Sequence, residues 1–156
     1  MKLYISENSP YARRARIAVR EGGLIENVEE ICISSEKQLL DLGAGGKIPI
    51  LVTDSGTSLC ESLVIARYLD DLTGGVLWPR DPERMVDCLA LESMASVLMD
   101  SMFVRSMEKN HREQALRSQS VIVREEERAL RCYDALESMM DDQIQEVSLG
   151  SIALVS

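Results

Sequence analysis

KIPILVTDSGTSLCES, residues 47–62, decides how this chain reads. Ile50, Leu51 and Val52 have the apolar character of a buried strand, and Thr57 to Cys60 form a candidate hairpin partner. The DSGT between them is a hairpin-type turn. Pro49 stands at the strand's entrance, where its missing N–H would spoil a ladder position. Glu61 and Ser62 then open a helix rather than a loop. A proline before one strand and a carboxylate–hydroxyl pair after the next both need a reason.

Outward from the hairpin, the first half alternates strand and helix. Lys2 to Ile5 is a short apolar strand, and the SENSP loop ends at a helix start. Tyr11 to Glu21 reads as helix, with Tyr11, Ala15, Ala18 and Val19 as its apolar stripe and Arg13, Arg14, Arg16 and Arg20 as a solvated face. Gly22-Gly23 stops it. Val28 to Ile33 reads as a second strand, Ser35 to Leu42 as a short helix, and Gly43 to Gly46 as a break. A third helix runs from Glu61 to Leu72, with Ile65, Ala66, Leu69 and Leu72 on one side. The order βαβαββα predicts an α/β domain over residues 1–75, with a parallel pair and an antiparallel hairpin in one mixed sheet.

The second half has no strand signal. Residues 76–82 form a linker, and Pro82 suits the first turn of the helix that follows. Residues 83–156 read as all-α. Leu91, Met94, Ala95, Leu98 and Met102 make one helical stripe. Ile122, Ala129, Tyr133, Leu136 and Met140 make a second, interrupted by Glu126. Residues 147–156 begin a third apolar helix.

Composition narrows the function classes. A net charge of −9 argues against binding nucleic acid by phosphate neutralisation. No apolar run approaches the roughly 18 residues of a membrane span, and the N-terminal apolar stretch is too short for a secretory signal. The 4 cysteines are widely spaced and read as reduced cytosolic thiols, so the expected compartment is cytoplasmic. With 1 histidine and no C-x-x-C pair, neither a metal cage nor a dithiol redox centre is expected.

SPYARRARIAVREGGL, GKIPILVTDSGTSLCESLVIARYL and LWPRDPERM together resemble the N-terminal half of a bacterial cytosolic glutathione S-transferase. ASVLMDSM and QSVIVREEERALRCYDALES are similar to the two long helices of that family's second domain. The resemblance implies a thioredoxin-like domain followed by an all-helical domain that is incomplete at residue 156. It also implies glutathione as co-substrate and a two-fold homodimer.

The same resemblance gives the hairpin residues their reasons. Pro49 would follow a cis bond, exposing the backbone of Ile48 to pair with the cysteinyl part of glutathione. Glu61 and Ser62 cap a helix in their plain reading; in the family reading they meet the ammonium and the α-carboxylate of the γ-glutamyl end. Tyr11 and Lys47 are further implied glutathione contacts.

Ser9 is the implied catalytic residue, its hydroxyl donating to the glutathione sulfur. Lowering a thiol pKa from ~8.5 by two units needs about 2.7 kcal/mol. A hydrogen bond to a charged group contributes about 1.5–3 kcal/mol and a helix N-terminus about 0.3–2, so one of each suffices. Tyr4 is an alternative hydroxyl, though within a strand it reads as a packing residue. Met99 and Phe103 would line a pocket for a small hydrophobic electrophile, while methionines on this helix suit a helical core equally well.

Two departures from the family stand out. Gly43-Ala44-Gly45-Gly46 replaces the usual Asn-Pro turn before Lys47, and Ser151 stands where a capping aspartate is usual. A non-catalytic interaction or stress-related protein on the same fold is therefore the second reading.

Overall fold

The computed structural model describes residues 1–143 and 146–156. Four strands, β1 (Lys2–Ile5), β2 (Glu29–Cys32), β3 (Ile50–Val52) and β4 (Ser58–Cys60), form one sheet in the order β2-β1-β3-β4. β1 runs parallel to β2, with Leu3 opposite Glu30. β3 is antiparallel to both β1 and β4, with Tyr4 opposite Ile50 and Ile50 opposite Cys60. The mixed sheet follows from the connections. A helical crossover joins β1 to β2 and permits parallel pairing, whereas the tight 53–57 turn forces β3 and β4 antiparallel.

α1 (Pro10–Glu21) carries Pro10 at its start and Ser9 as N-cap, and Ser9 Oγ accepts from Ala12 N–H at 3.2 Å. α2 (Glu36–Leu42) is capped by Ser35. α3 (Ser62–Leu72) packs with α1 on the sheet. Leu3, Ile5 and Leu51 from the strands meet Ala12, Ala15 and Val19 of α1 and Ile65, Ala66 and Leu69 of α3 in one buried cluster. The alanines let α1 lie close to its neighbours.

The helical layer consists of α4 (Pro82–Ser106), α5 (Gln119–Gln143) and α6 (Leu149–Leu154). Asp81 caps α4, accepting from the Glu83 and Arg84 N–H groups. A π-helical turn, Met107–His111, and a 3₁₀ turn, Gln114–Leu116, connect α4 to α5. α6 starts with a capping box in which Ser148 and Ser151 each bond the other's backbone N–H. The serine at 151 thus fills the role expected of an aspartate. Leu149 and Ile152 of α6 join the first layer's core, and Asp70, fully buried at the end of α3, accepts from Leu77 N–H at 2.7 Å. Gly150 makes the α4–α6 approach possible, since a Cβ there would come within 2.8 Å of the Cys88 carbonyl oxygen.

Four expectations about faces are corrected. Leu72, expected on the same side of α3 as the buried Ile65, Ala66 and Leu69, is exposed at the helix's last position. Arg14 is not on a solvated face; it is buried in the α1–α3–α4 junction. Met102 is exposed and Met99 takes the inward position on α4. On α5, Tyr133 and Met140 are exposed, and the inward row is Ile122, Glu125, Ala129, Cys132 and Leu136. That row keeps a regular 3–4 residue step, which a search for apolar residues alone missed because Glu125 interrupts it. Buried Glu125 lies beside Arg124 and Arg128, at 2.8 and 2.9 Å.

Candidate active site

The strand register brings the flagged residues to one edge of the sheet. Because Tyr4 faces Ile50, the loop after β1, residues 6–9, lies beside the Ile48–Pro49 segment that leads into β3. Because Ile50 faces Cys60, Glu61 and Ser62 lie across from Pro49. Three separate stretches of sequence thus meet: the N-terminus of α1, the entrance to β3 and the N-terminus of α3. The Ile48–Pro49 peptide bond is cis, Pro49 is buried, and Lys47 is exposed beside it.

Each side chain has a definite setting. Ser9 is half-buried, and its oxygen is an acceptor for Ala12 N–H, which leaves its own proton free to donate. Glu61 occupies the N-cap position of α3 without making a side-chain cap hydrogen bond, and it is exposed. Its φ of 74° is the positive value of a non-glycine residue, a strained conformation that costs about 1–3 kcal/mol. A capping role does not account for it. Ser62 is buried, with its Oγ 3.2 Å from Arg14 Nη1.

Arg14 is the residue that reasoning from the sequence passed over. Its Nη2 donates to Ser96 Oγ of α4 at 2.8 Å, so one guanidinium ties α1, α3 and α4 together. Burial pulls its pKa below the ordinary value, and the carboxylates of Glu92 and Glu61 act against that pull. Glu92, itself buried on α4, is pushed up by burial, with Arg14 and Arg67 opposing. The spacing Tyr11, Arg14, Ala18 is i, i+3, i+7, so the inward face of α1 was readable at position 14.

Tyr11 donates its hydroxyl to Asp100 Oδ1 on α4 at 2.6 Å, and its ring meets Phe103 edge-on with centroids 5.9 Å apart. Burial, then the hydrogen bond to Asp100, holds its pKa well above the ordinary tyrosine range. Tyr11 is thus a neutral phenol with its proton committed. Phe103 is exposed, whereas Met99 is buried and packs in the helical layer. Tyr4 lies in β1 opposite Ile50 and Ile31, a strand residue by position. Among the described residues no three His, Cys, Asp or Glu side chains gather to hold a metal ion, and no helix is long and apolar enough to cross a membrane.

Comparison with known proteins places the chain in a family. Residues 8–72 match the model of the glutathione S-transferase N-terminal domain. The uncharacterized GST-like protein YibF of Escherichia coli K12 is 30% identical over 99% of this chain and 78% of its own length. The chain belongs to the glutathione S-transferase family.

Solved structures agree on the fold of this transferase-family chain. A glutathione transferase family member from Pseudomonas fluorescens Pf-5, with bound glutathione, superposes with a TM-score of 0.92 at 24% identity, covering 98% of this chain and 78% of that one. A glutathione S-transferase from Methylobacillus flagellatus KT, with glutathione bound, gives 0.89 at 27% identity, covering 97% and 78%. Both superpose along nearly the whole of the present sequence.

Proposed function

We propose that this chain binds glutathione and transfers it to small hydrophobic electrophiles, with Ser9 stabilising the thiolate. The observation that carries the reading is Ser9 itself: its lone pair caps α1 while its proton is unspent. A donor at a helix N-terminus is what a thiolate needs. The attacking atom is the glutathione sulfur, and serine only makes it anionic. Tyr11 cannot substitute, because its proton is already given to Asp100.

The other end of glutathione would meet Glu61 and Ser62. The exposed Glu61 carboxylate suits an ammonium, and the first N–H groups of α3 with the Ser62 hydroxyl suit a carboxylate. Lys47 and the Ile48 backbone lie between those ends, and Phe103 faces the electrophile side; Met99 supports that wall from within. We read residues 1–75 and 83–156 as two domains, with the cytoplasm as the compartment, where Cys32, Cys60, Cys88 and Cys132 stay free thiols.

The experiment is calorimetric titration of glutathione, with ultraviolet absorbance following the bound thiol. Ser9→Ala is expected to raise the bound thiol's pKa by about one to two units, the worth of one charged hydrogen bond, with a smaller change in affinity. Ser62→Ala is expected to weaken binding about tenfold or more. Absence of binding at millimolar glutathione would leave the non-catalytic reading in its place.

A homodimer fits the surface. Val64 and Leu72 on α3 and Val86, Leu89 and Val97 on α4 are exposed apolar side chains on the two elements that would meet a second copy. Light scattering is expected to give twice the chain mass at micromolar concentration.

A further inference from the structure

Arg14 does more than a neutral clamp between three helices would require. Its two hydrogen-bond partners, Ser62 and Ser96, are both uncharged hydroxyls, and burying a cation against neutral groups is costly. The side chain is 2% exposed, and its Nε is buried without a hydrogen-bond partner. Among the described residues no carboxylate oxygen lies within 4.0 Å of the guanidinium nitrogens. Glu92, Glu61 and Asp100 act on it from further off and favour its charged form. An arginine stays protonated in such a setting, so a full positive charge is held in place with no anion touching it.

The guanidinium is aimed at the start of α3. Arg14 Nη1 donates to Ser62 Oγ at 3.2 Å, which makes that oxygen an acceptor and leaves its own proton free to donate. Among the described residues nothing accepts that proton. Ser62 is the first residue of α3, and Glu61 before it makes no side-chain cap hydrogen bond, so the helix's first N–H groups are not claimed by a cap. An unspent hydroxyl proton, open helix N–H groups and a cation behind them together suit one carboxylate. A carboxylate oxygen bonded to Ser62 Oγ would lie roughly 6 Å or less from Arg14 Nη1, inside the Debye length of about 8–10 Å.

We infer that Arg14 is a positioning residue for the α-carboxylate of glutathione, committing the Ser62 hydroxyl to donate and supplying the cation behind it. This rests on the glutathione-binding reading above and deepens it. In that reading Glu61 takes the ammonium of the same γ-glutamyl group, so the zwitterion meets one charge of each sign.

The test is calorimetric binding of two ligands to the full chain: glutathione, and γ-aminobutyryl-cysteinylglycine, which lacks only the α-carboxylate. Wild type is expected to prefer glutathione by about tenfold or more. Arg14→Gln removes the charge and is expected to narrow that preference to about twofold or less, by weakening glutathione while leaving the analogue nearly unchanged. Arg14→Lys keeps the charge and should keep at least half of the preference. A residue that only held the helices together would weaken both ligands alike. An unchanged preference in Arg14→Gln, or a loss in Arg14→Lys as large as in Arg14→Gln, overturns the assignment while leaving glutathione binding intact. In wild type the preference should persist in about 0.5 M salt, because a buried charge at short range is screened little. Its disappearance there would trace it to an exposed cation and overturn the assignment, whether or not Arg14→Gln folds. If wild type binds neither ligand at millimolar concentration, the glutathione reading itself fails and this inference with it.

Discussion

Around Ser62 three helices converge on one buried guanidinium, whereas around the Gly43–Lys47 loop no side chain of α2 is buried at all. The first flank is held by Arg14, Ser62, Ser96 and Glu92, drawn from α1, α3 and α4. The second is held by local backbone bonds: Gly43 N–H donates to the Leu39 carbonyl and Gly46 N–H to the Gly43 carbonyl. Long-range burial fixes a position; local capping fixes only a conformation. One end of the candidate glutathione site is therefore preorganised, and the other must be ordered when a ligand arrives, at about 1–2 kcal/mol per backbone residue fixed.

Breaking the clamp has the largest expected effect. Arg14→Ala leaves two hydroxyls without their donor and buried Glu92 without one of the two cations that act on it, so it should cost about 2–4 kcal/mol of stability in urea unfolding. Glutathione affinity should fall with it, because Ser62 loses its anchor. A cost below about 0.5 kcal/mol, the level of an ordinary surface substitution, would show that the junction holds without the guanidinium.

The clamp also has an electrostatic cost that pH can reveal. Burial raises the Glu92 pKa above its ordinary 4.5, so the folded state binds that proton more tightly than the unfolded chain does. The sign follows. This group favours folding most below pH 4.5, and that contribution is lost as pH rises to the folded value. Glu92→Gln should therefore gain stability relative to wild type across that window and hold the gain at higher pH. Paired unfolding curves at pH 4 and pH 7 measure it; a gap that does not widen between them refutes the burial argument.

The smallest effect belongs to the loose flank. Gly45 has open space where a Cβ would go and no left-handed backbone. Gly45→Ala should stabilise by about 0.4–1 kcal/mol through the unfolded chain alone. Hydrogen exchange at residues 43–47 should slow without change at Ser62. The same substitution should tighten glutathione slightly, since less order remains to be imposed.

Local chemistry made most of the fold legible. β1 spans Lys2–Ile5 as its apolar run suggests, Pro10 and Pro82 sit at helix starts, and the DSGT turn closes a hairpin. These features depend on a few adjacent residues, so sequence carries them directly. The candidate site was legible only in its outline, through Ser9, Pro49, Glu61 and Ser62. The electrostatic partners on α4 are remote in sequence, Ser96 lying 82 residues from Arg14 and Asp100 89 residues from Tyr11, and Glu92, Ser96 and Asp100 each read alone as an ordinary polar helix residue.

The element order, the helix caps, the turn between β3 and β4, and the proline that precedes the hairpin are all written in short local stretches of sequence. Packing between helices, by contrast, is what turns Arg14 inward, sets Glu125 in the buried row of α5, and commits the Tyr11 proton to Asp100. The physical reason is that a charged side chain is read as exposed until a partner is known, because burying it alone costs too much. The partners that make burial possible here come from other helices, and contact between helices is what no single stretch of sequence records.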